Sequence, residues 1–545
     1  MKKLHLLLVY PDFIEGDKTS LGGNYSEGIA SISAVIKQGG HQVSLLHIDR
    51  ELTENEYKNK LKEFKEVDLI GFNCRTTLFN YVKKLIKYTK QESDAFLFAG
   101  GYHPILVPDE FMEIDNLDAV CLGEGEYPTL ELMNKMAEKK DVYDTESFYF
   151  KKEKEVIKNK VKPLVENLDD LPFPDIDLFD YKNLSTTKTN TALIMLSRGC
   201  IYSCTYCGNS QFRNVYPNKG KYARFRSPEK AIELIKSVIK KYPNIKYIWF
   251  RDAIFNMFPE WFDQFIELYT KEIKLPFTCN LRFDIVTEDS VKKMKEAGCY
   301  TIDIGLESGN KEIRQKYLKR FTTDEQMINA SNWFNKYKIT VLTYNILGLP
   351  YEDLHKALET VKLNAKLRSD QVIPNIFYPY PMTELKKTAE EAGFLREITP
   401  KTKVYIKQPN FPDHQVLFAA NYFMFYVKLY KWCFKKETKF RGLVEKFLDF
   451  TFTGPLTPRR TLNFLYNIKK WFSSRLKKFV IKYLPKLFLI LRNRKNKIEN
   501  WKIFFFFVKR LALYTKGVYN YFCTQRRWCA RLLKHQEELY KQFMV

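Results

Sequence analysis

The strongest constraint on the fold is a repeating switch between two hydrophobic periods. Within positions 1–145, short apolar runs alternate with segments of helical spacing. The runs are LHLLLVY (4–10), QVSLLHI (42–48), DLIGFNC (68–74), AFLFAGG (95–101) and LDAVCLG (117–123). Each has the length of a strand, and near-continuous apolar character suits a parallel strand covered on both faces. Between the first two, Ser26 to Gln38 places Ile29, Ile32, Ser33 and Ile36 on one helical face and ends at Gly39-Gly40. The order β-α-β-α predicts a doubly wound, mostly parallel α/β sheet, whose ligands bind beyond the carboxyl ends of its strands. Glycines stand at those ends: Gly100 and Gly101 after the fourth run, Gly123 and Gly125 after the fifth. Such turns suit close approach of a large ligand, and equally suit tight turns alone.

A second alternation fills 191–385. Its strand candidates are TALIMLS (191–197), IKYIWF (245–250), FTCNL (277–281), TIDIGLE (301–307), ITVLTYNIL (339–347) and VIPNIFY (372–378). Ser227-Pro228 is a helix start, and Thr287 caps another helix that Gly298 closes. Six such units predict a partial (β/α)6 barrel, with its chemistry at the C-terminal ends of the strands. Residues 146–190 form a connector: NLDDLPFPDIDLFDY carries two prolines and five aspartates and reads as an extended surface segment. Residues 386–420 are transitional.

Residues 421–545 change character. They hold 29 Lys and Arg against 6 Asp and Glu, nearly all of the chain's net charge of +25. Basic side chains interleave with Phe, Leu, Tyr and Trp, which predicts a mainly helical region. A solvated face, an anionic membrane surface and nucleic acid are its candidate partners. The run Phe504–Phe507 favours lipid or a core over nucleic acid. No uncharged apolar run reaches the roughly 18 residues of a membrane span. MKKLHLLLVYPDF lacks a small-residue cleavage site and reads as a buried strand, not a leader. A cytoplasmic protein, peripheral to the membrane at most, is expected. Ten scattered cysteines do not make a disulfide framework.

Three of the ten stand together in SRGCIYSCTYCGNS (197–210), directly after the first barrel strand. A C-x3-C-x2-C loop can set three thiolates on one face of a cubane cluster, leaving the fourth iron open to substrate or cofactor. A zinc site completed by Cys279 or Cys299, or three unrelated cysteines, are the competing readings.

The position of Cys200, Cys204 and Cys207, with Tyr206 before the last, resembles the radical S-adenosylmethionine (SAM) enzymes. That resemblance implies a [4Fe–4S] cluster on the trio, SAM on its open iron, and reductive cleavage to a 5′-deoxyadenosyl radical. It also implies an external electron donor such as flavodoxin or ferredoxin. GLESGN (305–310) with Lys319, NILGLPYED (345–353) and NLRFD (280–284) resemble family segments that meet SAM. They implicate Glu307, Gly348 and Arg282, together with Tyr206; structural roles fit the same residues. FRDAIFN (250–256) departs from the pattern of two adjacent acids, keeping Asp252 alone. FAGGYHP (98–104), LGEGEYPTLEL (122–132) and LDDLPFPD (168–175) resemble the cobalamin-binding domain fused to many of these enzymes. They place Gly100, Gly101, Gly123 and Gly125 at cobalamin. The D-x-H-x-x-G signature is missing, so His103 is not expected on cobalt. The resemblance implies methyl transfer to an unactivated carbon of a small or lipid-like molecule. A cobalamin-independent oxidoreductase or cyclase is the alternative, and an idle membrane-tethering protein a third reading.

Overall fold

The computed structural model describes residues 2–14, 23–153, 155–216, 220–399, 401–435 and 441–454. The N-terminal sheet is built from β1 (His5–Pro11), β2 (Gln42–Ile48), β3 (Leu69–Asn73), β4 (Phe96–Gly100), β5 (Ala119–Cys121), β6 (Phe148–Lys152) and β7 (Glu155–Lys158). Its spatial order is β2-β1-β3-β4-β5-β6-β7. The first five strands are parallel, with Leu6 opposite both Val43 and Leu69. β6 and β7 add an antiparallel hairpin. The sheet thus runs past 145, into the segment read from sequence as connector. Every residue of β1 is buried. Leu6, Leu8 and Tyr10 enter one core and Leu7 and Val9 the other, because successive side chains point to opposite faces. The strand order reverses between β1 and β3, the point at which such sheets open a ligand crevice.

The second sheet begins with β8 (Thr191–Ile194). A two-residue ribbon follows, β9 (Ser197–Arg198) paired antiparallel with β10 (Arg224–Phe225). Then come β11 (Tyr247–Phe250), β12 (Phe277–Leu281), β13 (Cys299–Glu307), β14 (Thr340–Leu347) and β15 (Gln371–Ile376). The order β15-β14-β13-β12-β11-β8, parallel throughout, is the six-stranded partial barrel. Its helices start where the caps predict. Ser227 Oγ accepts from Lys230 N with Pro228 in the first turn, and Thr287 Oγ1 accepts from Ser290 N. Phe250, Phe265, Tyr269 and Phe277 pack edge to face between sheet and helices. Burying each aromatic contributes about 1.5–3 kcal/mol.

The aspartate-rich connector straps the two layers together. Asp175 accepts from Ser33 Oγ and Lys37 Nζ on the first helix, both at 2.6 Å. Arg226 beside β10 donates to the carbonyls of Leu168 and Leu171. At the other end, position 421 falls inside one helix, Asp413–Lys435, and a second helix spans Arg441–Thr453. Lys362 on the helix Leu354–Lys366 bridges Glu445 and Asp449, tying the pair to the barrel. Phe504–Phe507 and the rest of the basic region after Gly454 lie outside the described residues.

Candidate active site

The cysteine loop leaves the barrel at the C-terminal end of β8. Asp252, after β11, holds its first residues. Its Oδ1 accepts from Leu196 N at 2.8 Å and from Ser197 Oγ at 2.5 Å. Asp252 is fully buried, and burial pushes its carboxyl up to about 6 against these hydrogen bonds. Gly199, with φ of 79°, turns the chain into the loop, where a side chain would run into the Tyr222 carbonyl. After Cys207 the chain enters the short helix Gly208–Asn214, and Ser210 Oγ donates to the Cys207 carbonyl at 2.7 Å.

Cys204 is buried, while Cys200 and Cys207 are partly exposed. Burial raises the Cys200 thiol and pushes Cys207 up to about 11, with the neighbouring thiols adding to both. Among the described residues no three His, Cys, Asp or Glu side chains gather tightly enough for a single metal ion, the trio included. Cys279 and Cys299, the candidates for a fourth zinc ligand, are buried beside each other in the barrel core.

Arg282, after β12, reaches the trio directly. Its Nη1 lies 3.4 Å from Cys204 Sγ, while Nε and Nη2 hold Asp284 at 3.0 and 3.2 Å. Its guanidinium stacks 3.5 Å from the centre of the Tyr202 ring. The ion pair with Asp284 and the approach to a thiol coexist on one side chain. Glu307 closes β13. The register slips between Gly305 and Glu307, and Glu307 takes φ of 65°, a left-handed conformation that costs a non-glycine residue about 1–3 kcal/mol. Its buried carboxyl is pushed up by desolvation, against the nearby Arg320 at 3.7 Å and the Tyr206 hydroxyl. Arg320 also donates to Tyr206 Oη at 3.2 Å and to the Gly305 carbonyl at 2.7 Å.

Arg320 is a residue that sequence reasoning missed. Its neighbour Lys319, matched from the family segment, points outward to Glu384. Gly348 ends β14 in a left-handed turn (φ 74°) whose N–H donates to the buried Glu352 carboxyl at 2.6 Å. It stands at the strand end expected for it, and the bonds described there are those of a capped turn.

Across from the loop lies a cavity of about 650 Å³. Gly100, Gly101, Gly123 and Gly125 line it from the N-terminal sheet, and Met195, Trp249 and Arg251 from the barrel. Two of the glycines are required by backbone alone: Gly101 and Gly123 have φ of 96° and 76°. Among the described residues no histidine lines the cavity, and His103 packs between Phe79 and Phe111. The two strand-end surfaces face each other. Tyr102, after β4, stacks edge-on to Phe212 just past the cysteines, with ring centres 4.8 Å apart. Tyr216 Oη accepts from Glu124 N at 2.5 Å.

The seam is held by buried charges absent from the sequence reading. Arg198 on β9 pairs with Glu124 at 3.1 Å and Glu126 at 2.5 Å, and Arg224 on β10 pairs with Glu124 at 2.7 Å. Asp303 on β13 was missed as well. It lies on the face opposite Ile302 and Ile304, almost fully buried, and burial pushes it up to about 6 with Arg251 opposing.

A barrel with a three-thiol loop at its mouth, set against the ligand crevice of a doubly wound sheet, is the arrangement of a radical SAM barrel joined to a B12-binding domain. Residues 194–363 match the radical SAM superfamily and residues 20–133 the B12 binding domain, one match on the barrel and one on the N-terminal sheet. The chain is 27% identical to an uncharacterized methyltransferase of Pyrococcus horikoshii over 441 residues, 78% of this chain and 94% of that one. It is 22% identical to the anaerobic magnesium-protoporphyrin IX monomethyl ester cyclase of Rubrivivax gelatinosus, covering 70% of this chain and 69% of that one. The fold resembles the structure of the cobalamin-dependent SAM radical enzyme OxsB with aqua-cobalamin bound. The TM-score there is 0.62 at 16% identity, over 87% of this chain and 76% of that one.

The family's cofactors are a [4Fe–4S] cluster, SAM and cobalamin. The residues present fit them. Cys200, Cys204 and Cys207 would hold a cluster by three thiolates and, with no fourth ligand among the described residues, would leave one iron open. Arg282 and the buried, strained Glu307 flank the trio with one donor and one acceptor group. The glycine-lined cavity opens opposite, within the 300–1,000 Å³ range of small-ligand sites.

Proposed function

We infer that the chain transfers a methyl group to an unactivated carbon of a small molecule held between the barrel mouth and the N-terminal sheet. The observation that carries this reading is the opposition of the two strand-end surfaces, one bearing Cys200, Cys204 and Cys207 and the other the glycine-lined crevice. Bound together, the cofactors supply one-electron cleavage of SAM and a transferable methyl group.

This chain's residues position and shield. Arg282 offers a guanidinium beside Cys204, suited to a carboxylate. Glu307, held by Arg320 and Tyr206, presents an acceptor to hydroxyl groups. The Tyr102 and Phe212 rings close one flank against water. An external donor such as flavodoxin or ferredoxin supplies the electrons.

Anaerobically reconstituted protein, given SAM and dithionite, should release 5′-deoxyadenosine, and the Cys204→Ala variant should release none. Formation of S-adenosylhomocysteine alongside it marks methyl transfer. Its absence would favour the oxidative or cyclising reading, which the similarity to the Rubrivivax cyclase supports.

A second element of the proposal is peripheral contact with anionic membrane through the C-terminal region. Phe425, Trp432, Leu443, Phe447 and Phe450 on the last two described helices are each more than half exposed. Lys428, Lys435 and Lys446 share these helices, and a strongly basic, aromatic sequence follows them. No helix among the described residues is long and apolar enough to cross a membrane.

A further inference from the structure

A second cavity, of about 800 Å³, lies where the N-terminal sheet meets the segment after β15. Four polar side chains of its wall carry buried atoms without a hydrogen-bond partner: Arg75 Nε, Thr76 Oγ1, His103 Nδ1 and Arg396 Nε. Native interiors rarely leave such atoms unpaired, and each normally has a partner in protein, water or ligand. His103 is 3% exposed. Its backbone N–H is fixed by the Cys74 carbonyl at 2.9 Å, and its ring sits edge-on to Phe79.

The wall is cationic. Arg75, Lys386 and Arg396 line it with a single carboxylate, Glu110, which is half exposed and 3.6 Å from His103 Nε2. Arg396 is held in place by Asp413 through two bonds of 2.7 and 2.8 Å, and Arg75 by Asp12 at 3.1 Å. Lys386 has no ion-pair partner among the described residues. Burial, then Lys386, push the His103 ring down to about 4, so it is neutral at pH 7 and its Nδ1 can donate or accept. Apolar side chains, including Phe13, Phe79 and Pro379, share the rest of the wall with Thr77, Asn80, Thr399 and Thr402.

We propose that this cavity is a second small-molecule site. It takes an organic anion, with a phosphate or carboxylate met by Lys386, His103 and Arg396 and an apolar body against Phe13 and Phe79. Arg75 lines both cavities, and its partner Asp12 lines the first. A ligand that engages Arg75 therefore bears on the cofactor crevice through one ion pair.

The test uses the purified full-length chain with phenyl phosphate and benzoate as probes, followed by calorimetry. Saturable binding of either, one per chain, is expected; comparing the two identifies the preferred anion. Lys386→Met and His103→Phe should each weaken it at least tenfold. Lys386 is partly exposed, so its loss reads out even where His103→Phe fails to fold. Binding should persist in excess hydroxocobalamin, the ligand assigned to the other cavity. Absence of saturable binding, affinity unchanged by Lys386→Met, or complete displacement of the probe by saturating hydroxocobalamin would each overturn the proposal; a shifted affinity with both bound is the coupling expected through Arg75.

Discussion

Removing the guanidinium of Arg198 tests whether the seam between sheet and barrel is held electrostatically. In Arg198→Met, Glu124 keeps Arg224 at 2.7 Å and the Val165 N–H at 3.1 Å. Glu126, only 4% exposed, loses its ion partner. An uncompensated buried charge costs about 3–5 kcal/mol. Domains of 150–250 residues lose about 2–4 °C in Tm per kcal/mol, so the fall should be on the order of 10 °C. Adding Glu126→Gln leaves a neutral unsatisfied amide at about 1–3 kcal/mol, and so should recover about 2 kcal/mol. Thermal unfolding of the native chain, both single variants and the double variant completes the cycle. An Arg198→Met shift under about 2 °C, or a double variant no better than the single, would refute the reasoning.

Three further outcomes follow from the site. Asp252→Ala strands the Leu196 N–H, at a cost of about 1–3 kcal/mol, and should lower iron incorporation on reconstitution, whereas Asp252→Asn, which keeps an acceptor, should retain most of it. Glu352 is buried and pushed up to about 8 by desolvation, so the fold favours its protonated form. That contribution is complete below about pH 4.5 and is lost at up to about 1.4 kcal/mol per pH unit as pH rises through 8. Glu352→Gln should therefore gain stability over the native chain between pH 5 and 8 in parallel melts, and an equal pH slope for both would contradict this. Truncation after Gly454 should keep the iron site and weaken sedimentation with anionic liposomes; undiminished sedimentation would count against the membrane reading.

Much of the architecture is legible in the sequence because buried parallel strands are apolar along their whole length. LHLLLVY and ITVLTYNIL announce themselves without knowledge of their neighbours. The cysteine trio stands out for a different reason: three thiols fall within eight residues of one loop directly after a barrel strand. What stays hidden depends on tertiary approach. Arg320 follows the π-helical turn Ile313–Tyr317 and the left-handed residue Lys319, and it reaches Tyr206 and Glu307 while Lys319 turns out to Glu384. Glu124 and Glu126 sit inside a glycine turn, and their partners Arg198 and Arg224 lie more than 70 residues away. The hairpin of β6 and β7 carries charges on an edge, which blurs its strand pattern. The boundary at 421 follows charge, whereas the fold follows burial: Val416, Phe423 and Tyr430 share the buried face of one helix.

Anaerobic purification with reconstitution, reading iron, sulfide and cobalt on the same sample, tests the central claim most directly. The account predicts four irons, four sulfides and one cobalamin per chain, with the iron lost in Cys204→Ala. Stoichiometric zinc with no iron would contradict it, and four irons with no cobalamin would remove the assignment of the glycine-lined cavity.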